Sequence, residues 1–285
     1  MVLLQPDQVK LGPVSARMRI GVVLSAGGVR GAAHLGVLRC LLRLGMPMDV
    51  LVGVSAGAII AGFYAGAGLT IEEMIGDAPT FRGRHILMFG LSLRMPRRVR
   101  PWFDRFSGVI PRRLRQLESG RFDRLHHRVE TLAVVCHDQE ANRPRYFSNH
   151  QPHGMRLADV ARASACVPGV FRPRSFQLGD DEVRLVDGGL SDPLPVEFTR
   201  SDLSSTHLIV SDCRRSMAAP PPPMSASLIY IRPCLGDMGP FRSPRASLLA
   251  AVAAGEAAVT SAIEDQVRGW TQGRLVQDCP SHSLI

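Results

Sequence analysis

The first apolar run, MRIGVVLSAGG at residues 18–28, is continuous rather than alternating, which predicts a strand buried on both faces and closed by a turn of small residues. The next stretch, VRGAAHLGVLRCLLRLG at 29–45, carries Leu35, Leu38 and Leu42 along a helical face, and Gly45 stops it. MDVLVGVS at 48–55 predicts a second buried strand and AGAIIAGFYAGAG at 56–68 the helix that follows. Strand, helix, strand and helix with short connections predict a right-handed βαβ unit with parallel strands. Further strands are expected at 131–138, 183–189, 206–212 and 227–233, and further helices at 156–168 and 247–267. The order predicts an α/β fold with a mostly parallel central sheet, and no internal repeat interrupts it.

At 285 residues and 45% hydrophobic, the chain can bury one sizeable core, and one domain is expected. The tract MAAPPPPMS at 217–225 reads as a surface loop in extended polyproline conformation. Six cysteines, at 40, 136, 166, 213, 234 and 279, are scattered without a CxxC pair, which predicts reduced, packed thiols and calls for no metal. No basic start precedes a long apolar run, and no apolar stretch reaches the length of a membrane span, so a cytoplasmic location is expected, with peripheral membrane contact left open.

The charge is concentrated. Residues 82–121 hold eleven arginines against Asp104 and Glu118, a surplus equal to the whole net charge of +9. The stretch from 81 to 106 interleaves them with Phe81, Ile86, Phe89, Trp102, Phe103 and Phe106 at neither helical nor strand spacing. A basic, aromatic insertion at 81–121 can cover a site as a lid, or dock on anionic headgroups through Arg97, Arg98, Arg100, Trp102 and Phe103; a solvated loop is the plainer alternative. Nucleic acid is not an expected partner, because no helix-turn-helix, zinc-ligand or RNA-binding signature accompanies the charge.

Candidate chemistry lies in two glycine-rich turns. In a parallel pair, the loops after both strands open on one edge, so AGGVRG at 26–31 and GVSAG at 53–57 become neighbours. The G-x-S-x-G pattern suits a nucleophile on a strained strand-to-helix turn, with Gly53 and Gly57 relieving the crowding around Ser55. The amides of Gly27, Gly28 and Arg30 are candidate receivers of an oxyanion at a helix start. The alternatives are a packing turn or phosphate loop at 26–31, with Ser55 as an ordinary helix cap. A dinucleotide fingerprint fits poorly, since A-G-G-V-R-G replaces G-x-G-x-x-G, although Asp49 lies at a suitable offset. For the base, His207 and His282 are candidates, and Asp187 in RLVDGGLSDPLP is a stronger one: it ends an apolar strand and is relieved by Gly188 and Gly189.

Four blocks in order, LSAGGVRGAAHLGVL (24–38), GVSAG (53–57), ASACVPGVFRP (163–173) and VDGGLSDPLPVE (186–197), resemble the bacterial patatin-like phospholipase family. The resemblance implies a three-layer fold and a Ser55–Asp187 dyad in place of a triad. It also implies an oxyanion hole at Gly27, Gly28 and Arg30, with Gly31, Gly53, Gly57, Gly188 and Gly189 supporting the motifs. No cofactor is implied. Ala26 and Asp192 depart from the family pattern, which more often has glycine and asparagine there. The resemblance leads us to expect a catalytic core at 18–213 after an N-terminal extension at 1–17, with 214–285 completing the same domain. The expected activity is a lipid acyl hydrolase; the alternative is a catalytically silent membrane-binding or regulatory module.

Overall fold

A computed structural model describes residues 17–278 except 97, 152, 216–224 and 240–247. Arg97, Cys279, His282 and nearly all of the proline tract lie outside the described residues.

Eight strands form one sheet among the described residues: β1 (Ile20–Leu24), β2 (Val50–Val54), β3 (Thr131–Asp138), β4 (Arg143–Ser148), β5 (Arg174–Leu178), β6 (Asp181–Asp187), β7 (His207–Ser211) and β8 (Leu228–Ile231). Their order is β5-β6-β3-β2-β1-β7-β8, with β4 also on β3. The run β3-β2-β1-β7-β8 is parallel, and β4, β5 and β6 are antiparallel. The sheet is thus mostly parallel, as expected. Strands β4 and β5 have no counterpart among the strands expected from the sequence. These flanking strands are partly exposed and carry arginines, and Pro144 in β4 weakens a strand signal.

The continuous apolar runs have a simple cause, since successive side chains on a strand point to opposite faces and both faces are covered. Ile20, Val22, Leu24, Leu51, Leu132, Val134 and Ile209 share a core with α1 (Ala32–Arg43), α2 (Ala56–Ala61), α3 (Ile71–Ile75), α7 (Leu157–Ser164), α9 (Leu248–Ala257) and α10 (Ser261–Asp278). On the opposite face Val23, Val50, Val52, Val54, Leu208 and Val210 pack under the segment leading to and including α8 (Val196–Ser201). The result is three layers. Along α1 the buried stripe runs through His34, Leu35, Leu38 and Leu41, while Leu42, expected on it, is exposed.

The helix expected at 247–267 is two. Val259 drops into the core between α9 and α10, and Thr260 and Ser261 supply a helix start that the apolar run disguised. Helix α9 lies against α1 so closely that a side chain at Gly36 or Gly255 would strike backbone of the other helix. Near its end helix α10 carries Arg274, whose guanidinium makes a buried two-pronged pair with Asp49, both bonds at 2.9 Å. Asp49 also accepts from the Ile20 N–H at 2.8 Å. The residue that sat at a dinucleotide offset is therefore a structural anion joining β1 and α10.

Residues 81–118 are not an irregular loop. They form α4 (Gly83–Ser92), α5 (Arg100–Asp104) and α6 (Ile110–Leu117). Their periodicity is blurred because α4 is apolar on two sides: Ile86 and Phe89 face a cavity, and Leu87 and Leu91 are exposed.

Candidate active site

The site is assembled by β3. Over 133–135 it carries β4 on one edge and β2 on the other, with Val54 opposite Val135. Beyond the end of β2, β3 pairs with β6 on the same edge, Cys136 opposite Asp187, because β4 still occupies the other. Strands β2 and β6 therefore point at each other along one edge of β3 and end at adjacent rungs. Ser55 and Asp187, 132 positions apart, meet there.

At Ser55 the backbone takes φ 55° and ψ −116°, a conformation that L residues rarely adopt, between β2 and α2. Its neighbours permit the turn by lacking side chains. A Cβ on Gly57 would strike the Leu24 carbonyl, and one on Gly53 would strike Ala58. Gly31 passes against Ala56, and Gly188 against the Val135 carbonyl. The Ser55 N–H donates to Ser164 Oγ at 2.8 Å, and Ser164 Oγ–H donates to Val135 O at 2.6 Å. Ser164 thus pins the strained peptide to the sheet. No role for it was read from the sequence, although it lies inside the third block, because its contacts come only with folding.

The Ser55 hydroxyl donates to Asp187 Oδ2 at 2.6 Å, and Gly189 N–H donates to Asp187 Oδ1 at 2.8 Å. Both side chains are nearly sealed, the residues being 5% and 6% exposed. Burial pushes the Asp187 carboxyl up to about 6, against the pull of the hydrogen bonds from Ser55 and Gly189. Among the described residues no histidine bonds to either. His207 pairs with Ile20 at the opposite, N-terminal end of the parallel strands and packs edge-on against Trp270.

The glycine-rich turn 28–31 is a short 3-10 helix opened by Gly28 at φ +58°. Arg30 departs from its expected place: its N–H donates to Gly27 O at 3.2 Å, closing the turn. Its buried guanidinium instead clamps Cys213 O at 2.8 Å and Met238 O at 2.6 Å. The N–H groups of Gly28 and Val29 precede the turn's own hydrogen bonds, and both residues line the cavity onto which Ser55 opens. Gly27 sits behind them against Cys213.

Beneath the turn, buried His34 accepts from Ser211 Oγ at Nδ1, 2.8 Å, and donates from Nε2 to Ser25 O, 3.0 Å. Burial lowers its pKa to about 4, so it is neutral and locks the ends of β1 and β7 together. Ala26 packs with the β2–β3 valines and lies beside Gly189, where an added Cβ would approach its methyl to 3.0 Å. Asp192, the other departure from the pattern, accepts from Tyr146 Oη at 2.9 Å.

The cavity has a volume of about 650 Å³ and a mainly apolar wall that includes Leu35, Ile59, Phe63, Met74 and Phe171. Helices α4 and α6 and the residues flanking α4 supply its outer side through Phe81, Ile86, Phe89, Leu93, Ile110 and Leu114. They are tied down by Arg94 donating to Gly169 O and Val170 O, by Arg113 pairing with Asp77, and by Arg162 donating to Leu114 O and Glu118. Arg100 lines this cavity, and Phe103 is half-buried against Trp102. The described cysteines are all free, with Cys40, Cys136, Cys166 and Cys213 buried and Cys234 exposed. No helix among the described residues is long and apolar enough to cross a membrane.

A fold of this kind, with a serine turn and an aspartate brought to one strand edge, belongs to a recognisable class. The family model described as patatin-like phospholipase matches residues 22–200, and the chain belongs to that family. The match contains both glycine-rich turns, Ser55, Ser164 and Asp187. The lysophospholipase nte1 of Emericella nidulans is 30% identical over 184 residues, which cover 64% of this chain and 11% of that protein. The lysophospholipase NTE1 of Mycosarcoma maydis is 29% identical over 181 residues, 63% of this chain and 9% of the relative. The chain thus spans about a tenth of the length of these curated relatives. VipD from Legionella pneumophila shares the fold at a TM-score of 0.52 and 14% identity, over 90% of this chain and 67% of its own.

Proposed function

We propose that the protein is a lipid acyl hydrolase that cleaves carboxylic esters through a Ser55–Asp187 dyad. The observation that carries this reading is the 2.6 Å hydrogen bond from the Ser55 hydroxyl to a buried carboxylate. That serine sits on a strained turn opening into an apolar cavity of acyl-chain size. In the first step Ser55 Oγ attacks the ester carbonyl as its proton passes to Asp187 Oδ2. The oxyanion forms against the N–H groups of Gly28 and Val29, which take the role expected of the Gly27–Arg30 turn. The tetrahedral adduct collapses, Asp187 returns the proton to the departing alcohol, and an acyl-Ser55 ester remains. Water then attacks that ester with Asp187 again as base, releasing the fatty acid and restoring the serine hydroxyl. The relatives named as lysophospholipases support a monoacyl phospholipid as substrate.

A fluorophosphonate probe tests the chemistry. It should label the protein at Ser55 and leave Ser55→Ala unlabelled. A folded sample that takes up no probe and hydrolyses no ester would sink the hydrolase reading in favour of a silent module.

A further inference from the structure

Large exposed apolar side chains are unevenly spread. Of the eleven among the described residues, six fall between positions 87 and 106: Leu87, Leu91, Leu93, Val99, Trp102 and Phe106. They lie on α4, between α4 and α5, on α5 and just after it, and the Trp102 ring meets Phe103 and Phe106 edge-on at 5.0 and 5.1 Å. The stretch from α4 to just past α5 also carries exposed Arg84, Arg98 and Arg105, none in an ion pair among the described residues. The only acidic residue between positions 78 and 117 is Asp104, and its carboxylate is taken by the Ser92 hydroxyl.

We propose that this ridge seats the protein on an anionic lipid bilayer, with the rim of the cavity facing the lipid. Leu93 connects the two features, because it lines the cavity and is nonetheless 43% exposed. An acyl chain drawn from a bilayer at that rim passes toward Ser55 along apolar wall instead of through water. Trp102, 56% exposed, has the amphipathic ring that settles at headgroup depth, and the arginines meet lipid phosphate. A second copy of the chain is a poor occupant, because two such ridges would bring like charges together. An acidic protein would meet the charge, but it would cap the cavity without giving it a substrate. The purpose of the docking rests on the lipid-hydrolase reading; the docking itself is a separate property.

The test uses Ser55→Ala protein, so that the lipid stays intact. It should float with phosphatidylcholine–phosphatidylglycerol vesicles, bind pure phosphatidylcholine vesicles far less, and release in high salt. Tryptophan emission should shift to the blue on binding. Trp270, the other tryptophan, is only 6% exposed, so the shift reports Trp102. Replacing Arg84, Arg98 and Arg105 with glutamine should lower partitioning by on the order of 10²-fold. In protein that retains Ser55, the same changes should leave turnover of a short soluble ester unaltered. Absence of binding, binding that ignores the three arginines, or a dimer that Trp102→Ala splits into monomers would each overturn the proposal. Vesicle binding without any soluble-ester turnover would instead leave docking standing and count against the dyad.

Discussion

Asp187→Asn separates the two things that burial does to this carboxylate. The asparagine keeps the shape, and its oxygen can remain on the Gly189 N–H, where Oδ1 now accepts at 2.8 Å. Its amide nitrogen then faces Ser55 Oγ at the place where Oδ2 accepts at 2.6 Å, so the hydroxyl proton has no acceptor there. Losing a general base costs 10²–10⁴ in rate, about 3 to 5 kcal/mol of barrier. Stability should move the other way. A carboxyl held at about 6 instead of its ordinary 3.8 is destabilised as an anion by roughly 3 kcal/mol, and asparagine carries no such penalty. The folded state binds this proton more tightly than the unfolded state, so the wild type loses stability as pH rises from about 4 to about 6. The excess stability of the variant should therefore be near zero below pH 4 and approach roughly 3 kcal/mol above pH 7, less whatever the reversed hydrogen bond costs. Urea unfolding of both proteins across that range reads this difference, and soluble-ester turnover at pH 8 reads the chemistry. A variant within tenfold of wild-type activity, or a stability difference that does not change with pH, would refute the reasoning.

The base must be ionised to act, so kcat/KM for a soluble ester should rise with pH through a midpoint near 6; a rate flat between pH 5 and 8 would remove Asp187 from the role. Ser164→Ala deletes the pin on the Ser55 peptide and leaves Val135 O without its donor, so stability should fall by about 1–3 kcal/mol and kcat should drop, with Ser164→Thr restoring part of both if its hydroxyl keeps the two bonds. Arg274→Met strands a buried Asp49 anion and should cost about 3–5 kcal/mol in thermal or urea unfolding, while turnover per folded molecule stays near wild type. His207→Ala should leave activity intact, since that ring lies at the far end of the strands; its loss of activity would reinstate a triad.

Much of the candidate site is written in local chemistry. A continuous apolar run that stops at Gly-Val-Ser-Ala-Gly has few ways to turn into a helix, because Gly53 must pass Ala58 with no room for a side chain. Strand, turn and helix are thus readable from neighbours a few positions apart, as are α1 and the Asp-Gly-Gly turn that closes β6. The antiparallel direction of β6 is not, and that direction carries Asp187 to Ser55 along one edge of β3. Ser164 and Arg30 show the same division: each has an ordinary sequence setting, and each acquires its role from carbonyls supplied by β3 or by residues near 213 and 238. The basic segment hid its helices because α4 serves a cavity on one side and exposes apolar groups on the other, which erases the single stripe that periodicity detects. Periodicity and turn composition determined β1, α1, β2 and α2, since those depend on residues within a turn or two. Pairing direction, rung alignment and the pinning of a strained peptide depend on hydrogen bonds between residues far apart in the chain, such as Cys136 with Asp187 and Ser55 with Ser164, and only the tertiary structure decided them.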